Sequence, residues 1–167
     1  TWRAINPPSN IADWISGTNG IGYERSPSGT YRSLISTDID QMWNSNASVY
    51  LRYEFVIPDQ ESLESLTSLL LRMRYDDGFA AYLNGTLVSW SNYGTSAWNS
   101  TSSLPANDAE AVVFEDFDIT PQLIQLQVGT NILAIHGQNA SVRSSDFLIE
   151  VALTSSSTTP SQISPSA

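Results

Sequence analysis

"RYDDGFAAYLNGTLV", residues 74–88, holds two strand-like runs around a turn. Asn84-Gly85 is a strong hairpin signal, because both central positions of a type I′ turn need positive φ. A two-residue turn there pairs Leu83 with Thr86, and counting outward puts Phe79 opposite Trp90. Both rings are then expected in a core. Upstream, Asp76 and Asp77 stand side by side at the mouth of a strand. Within a strand their carboxylates point to opposite faces. That suits a turn or a metal better than an acid–base pair.

The neighbouring segments carry the same period of two. In "SVYLRYEFVI" (48–57), Val49, Leu51, Tyr53, Phe55 and Ile57 share one face. In 68–75, Leu69, Leu71, Met73 and Tyr75 point inward, and Arg72 and Arg74 outward. Further strands are expected at 112–119, 131–137 and 146–153. A helical turn is expected at 120–127, with Thr120 as N-cap and Pro121 at the first position. Many short alternating strands joined by polar loops predict an all-β fold, a two-sheet antiparallel β-sandwich of the jelly-roll type. The sandwich domain is expected over residues 1–153. Residues 154–167, "TSSSTTPSQISPSA", hold nine Ser or Thr and two Pro, a composition expected of a linker or tail.

The bulk properties exclude several functions. The chain has 167 residues and no cysteine, which removes disulfides, thiolate zinc sites and cysteine nucleophiles. Seven basic residues, all Arg, face 17 acids, for a net charge of −10. Such a surface repels phosphates, so no nucleic acid is expected as a partner. No apolar run approaches a membrane span, so membrane insertion is not expected. His136 is the single histidine and lies in an apolar run, without a G-x-S-x-G nucleophile motif in the chain. No catalytic residue is assigned, and the chain is read as a non-enzyme.

Two long loops, about 17–46 and 91–108, exceed what a minimal sandwich needs, and long loops on a rigid scaffold concentrate binding residues. The second holds Tyr93 and Trp98 among small polar residues. Trp98, followed by Asn99, Ser100 and Thr101, is the candidate platform for a sugar face, because an aromatic ring stacks on apolar sugar surface while polar neighbours read hydroxyls. The candidate ligand-binding residues are therefore Trp98, Tyr93, Asn99, Asp76 and Asp77. The alternative for Trp98 is a ring folded back over a sandwich edge. Asp76 and Asp77, joined by Asp108 or by the Asp38–Asp40 loop, are the candidate calcium ligands, since calcium takes six to eight oxygens. Here Gly78 would let the chain turn tightly behind the ion. The alternative is turn chemistry at Asp77-Gly78, with Asp76 paired to an Arg such as Arg74.

"DWISGTNGIGYE", "SVYLRYEF", "RYDDGFAAYLNGTLV", "AWNSTS", "FEDFDIT", "GTNILAIHGQN" and "SSDFLIEVAL" occur in that order. Together they resemble the galactose-binding-domain-like jelly-roll modules of large secreted bacterial proteins, over roughly residues 2–153. Residues 75–88 also resemble the Asp-Asp-Gly segment of the protective-antigen type lectin domain, where paired acids hold a calcium ion that holds a sugar. These resemblances imply a secreted or cell-surface module that binds a glycan or polysaccharide, with calcium as the candidate cofactor. The other readings are a structural or adhesive subunit that self-associates or tethers to other extracellular modules, and a glycoside hydrolase.

Overall fold

Alternating apolar residues bury one face of each strand, and two such faces closed on each other make this molecule. The computed structural model describes residues 1–158. Its strands are β1 (Ile21–Glu24), β2 (Thr37–Asp38), β3 (Ser48–Ile57), β4 (Leu66–Asp76), β5 (Gly78–Leu83), β6 (Thr86–Ser91), β7 (Glu115–Asp118), β8 (Gly129–Gln138) and β9 (Asp146–Ser157). One sheet runs β2-β1-β9-β4-β7 and the other β3-β8-β5-β6. All pairs are antiparallel except β1–β2. The chain changes sheets repeatedly, which gives a jelly-roll sandwich.

The core lies between the sheets. Leu69, Leu71 and Met73 from β4, Phe79 and Leu83 from β5, and Phe147 and Ile149 from β9 are buried there. The inward set of β3 packs against them as expected, with Val49, Leu51, Tyr53 and Phe55 part-buried. The outward Arg72 and Arg74 bridge to Asp116 and Glu150, each at 2.7 Å. Asp76 therefore does not have Arg74 as its partner.

β5 is buried on both faces. Its outer residues Ala80 and Tyr82 join Ile132 and Ala134 in a second apolar cluster, covered by Trp2 and Tyr93. Trp2 stacks on Tyr50 with ring centroids 4.0 Å apart. Arg52 fixes this N-terminal strap by donating to the carbonyls of Trp2, Ala4 and Ile5. The chain then passes β3 to reach β2, where the Thr18 N–H donates to Thr37 Oγ1 at 2.8 Å.

Several boundaries differ from the expectation. Leu83 does pair with Thr86, but a bulge between Ala81 and Tyr82 adds one residue to β6. Phe79 then faces Ser91, Trp90 faces Ala80, and Trp90 is 60% exposed, not core. The strand expected at 112–119 is only β7, because Asn107 caps a short helix, α1 (Asp108–Ala111), through the Ala109 N–H. Residues Thr120–Gln125 form a 3-10 turn with Pro121 in its first turn. Asp118 accepts from the Thr120 N–H, while Thr120 Oγ1 accepts from the Leu69 N–H, so Thr120 is not the cap. β9 continues four residues past 153 and pairs with β4 as far as Ser157. The rest of the expected tail, 159–167, lies outside the described residues.

Candidate functional site

Asp76 ends β4 in one sheet and Gly78 begins β5 in the other, so the chain crosses the sandwich at Asp77. Side-chain alternation holds within a strand and stops at this corner. Asp76 is the last residue of β4 and Asp77 lies in neither strand, so the expectation of opposite faces of one strand does not apply to this pair. The peptide joining them is cis. Both residues are buried, at 2% and 4% exposure.

The two acids have different environments. Asp77 Oδ1 accepts from the Ala106 N–H at 2.6 Å, and Oδ2 from the Ala140 N–H at 2.5 Å. It therefore ties two loops to the corner. Asp76 Oδ2 is buried without a hydrogen-bond partner among the described residues. Burial first, and the Asp77 charge second, push the Asp76 carboxyl well above the usual carboxylate range. Gly78 lies within β5 and makes no turn behind the acids. It is required because a Cβ there would sit 2.5 Å from the Asn92 carbonyl oxygen.

Among the described residues no three acidic or histidine side chains gather into a ready-made metal cluster. Asp40 is held by Arg25 at 2.6 Å, and Asp38 accepts from the Asp40 N–H, so that loop is committed elsewhere. Asp108 is exposed at the start of α1 and reaches Asp76 through its charge. The acceptors fit a hard cation in another way. Like Asp76 Oδ2, the Asn139 Oδ1 and the Tyr31 hydroxyl are buried without a hydrogen-bond partner among the described residues. Asn139 donates to the Tyr23 hydroxyl and to the Asp146 carbonyl, which holds its amide in place. Oxygen acceptors of this kind suit calcium, which also takes carbonyls and water in its shell. Asn139 and Tyr31 were missed in the sequence because neither belongs to an acidic motif. Only the fold shows that their oxygens lack donors.

Trp98 belongs to a different feature, a groove of about 570 Å³ beside β3. Its indole is 54% exposed and tilts against Tyr50, with centroids 4.9 Å apart. The floor includes Ile21, Ile39 and Met42 from the core, and the walls carry the amides of Asn10, Gln41 and Asn46. Trp14 also lines the groove, from the segment before β1. Asn99 positions the Trp98 loop. Its Oδ1 accepts from the Ala47 N–H, its own N–H donates to Ser48 Oγ, and it sits at φ 61°. Tyr93 is turned away from the groove, toward the strap. Its hydroxyl lies 3.1 Å from His136 Nδ1 and 3.3 Å from the Tyr82 hydroxyl. His136 is fully buried, and burial first, with the Arg3 charge second, pushes it down to about 4. The structure thus separates the expected residues into a buried corner (Asp76, Asp77), an open groove (Trp98, supported by Asn99) and a covered outer face (Tyr93).

No protein-family model matches the chain, and no curated protein matches it. Among solved structures, a β-D-mannosidase from Dictyoglomus thermophilum matches at 16% identity and a TM-score of 0.36, covering 56% of this chain and 9% of that one. An α-L-rhamnosidase from Aspergillus terreus matches at 15% identity and 0.38, covering 65% and 12%. A Bacteroides uniformis β-glucuronidase 2 matches at 13% identity and 0.38, covering 79% and 17%. The chain thus spans under a fifth of the length of each of these chains.

Proposed function

We propose that this chain is a non-catalytic, extracellular carbohydrate-binding module of the galactose-binding-domain-like kind. The observation that carries the reading is the half-exposed Trp98 indole at a groove whose walls combine aromatic rings with neutral amides. A large ring left in water costs solvation that a core position would recover, and a pyranose face is one surface that covers it. Amides at the walls supply both donors and acceptors for hydroxyls. His136, the one histidine of the chain, is buried under the strap and is not among the groove-lining residues. The adjacent acids Asp76 and Asp77 are buried at the corner, and a hydrolytic pair must reach its substrate.

Calcium belongs to this reading as a support for the site. Asp76, Asp77 and Asn139 would hold it, and the ion would supply charge compensation to two neighbouring buried carboxyls. Asp77 already links the corner to residues 106 and 140, so order at the corner passes to the loop that carries Trp98. A glycan array of neutral and acidic structures, probed with wild type and Trp98→Ala, tests the function. Binding that disappears in the variant supports it. An empty array, or binding unchanged in Trp98→Ala, contradicts it.

A further inference from the structure

The groove runs lengthwise along β3, because six consecutive residues, 48–53, line it. At about 3.3 Å per residue that is roughly 17 Å of strand, longer than one sugar ring. Consecutive residues point alternately to the two faces of the sheet. A groove that touches all of them therefore lies against the backbone edge. β3 pairs with β8 on one side and closes its sheet on the other, so its edge N–H and C=O groups face the groove. Two indoles, Trp14 and Trp98, come to it from separate segments.

Charge narrows the ligand further. Asp13 and Arg52 are the charged side chains among the groove-lining residues. Arg52 is spent on the carbonyls of Trp2, Ala4 and Ile5, and Asp13 is exposed without a salt bridge among the described residues. Among the described residues no free cation therefore lines the walls, and the net charge of −10 repels polyanions. We propose that the groove takes an internal stretch of an uncharged, linear polysaccharide several rings long, and not a single sugar, a chain end or an acidic glycan. This rests on the glycan reading above and specifies its ligand class. Each indole stacks one ring, the edge amides and carbonyls meet hydroxyls between them, and no ion pair is needed.

Calorimetric titration with mannan, cellulose and amylose oligosaccharides of one to six rings tests this, with oligogalacturonides as the acidic probe. In a neutral series that binds, Kd should fall at least about tenfold between one ring and four, the worth of one added stacked ring. Capping either chain end should leave Kd unchanged. Oligogalacturonides of equal length should bind more weakly. Trp14→Ala should weaken the longer oligosaccharides about tenfold. Trp14→Phe should restore most of the loss, which separates stacking from misfolding. A single sugar binding as tightly as four rings, or an acidic chain binding best, overturns the chain inference and leaves the glycan reading standing. Binding to no probe, with an empty array, overturns both.

Discussion

Trp98 and Phe79 are both large aromatic rings on this chain, and their exposures assign them opposite jobs. Phe79 is fully buried between the sheets, so Phe79→Ala should cost about 3–5 kcal/mol of stability. Trp98 leaves 54% of its surface in water, so Trp98→Ala should change stability by under about 1 kcal/mol while removing glycan binding. Denaturant melts of the two variants check the contrast, and a large loss in Trp98→Ala would make that ring structural. His136 supplies a second prediction at this scale. Its folded pKa of about 4 lies below the ordinary 6.5. Between those values the unfolded chain binds the extra proton, so stability is present above about 6.5 and falls as pH drops toward 4. Arg3 adds like charge, while the rings of Trp2, Tyr50 and Tyr93 pack against the imidazole. Urea melts from pH 7 to 4 should show this acid loss, and His136→Gln should flatten it. An unchanged slope in His136→Gln would place the acid sensitivity elsewhere.

At the scale of elements, the alternating runs were legible. The inward sets of β3 and β4 follow from period-two spacing alone, and Asn84-Gly85 turns where expected, with both residues at positive φ. The bulge at β6 was not legible, since no glycine or proline marks it and a one-residue slip is settled by packing. Trp90 was misplaced for that reason. The corner at Asp77 was hidden for another. A crossing between sheets depends on which strands pair, and those partners, at residues 138 and 148, are more than 60 positions away. The strap was missed because Trp2 finds its platform, Tyr50, on a strand that shares no local pattern with it. Asp77 carries the prediction for this scale. Asp77→Ala leaves the N–H groups of Ala106 and Ala140 without their acceptor, at about 1–3 kcal/mol each. Hydrogen exchange should show both amides losing protection while β3 and β8 keep theirs. Equal protection in wild type and variant would show that the loops are held by other contacts.

For the whole molecule, a buried Asp76 carboxyl whose Oδ2 has no hydrogen-bond partner among the described residues, beside the Asp77 charge, is a stability cost at the point where the sheets join. An ion that binds only the folded state at 100 times its dissociation constant adds about 2.7 kcal/mol. Chelator should therefore lower the melting temperature of the wild type. Asp76→Asn, which removes one carboxyl of the pair, should make the melting curve insensitive to chelator and calcium alike. A wild-type curve unmoved by chelator, with no heat on calcium titration, would leave the corner as a purely structural crossing. Glycan binding in the groove would then stand on Trp98 without the ion.

The glycan groove is the central claim, and NMR titration reaches it most directly. Wild-type protein labelled with nitrogen-15 is titrated with the tightest neutral oligosaccharide from the array, and the five tryptophan indole signals are followed. The indoles of Trp98 and Trp14 should shift together with the backbone amides of residues 48–53. The indole of Trp90, on the far edge of the same sheet, should stay still. Shifts confined to Trp90, or to a separate cavity lined by Tyr75, Pro105 and Glu115, would place the ligand elsewhere and contradict the account.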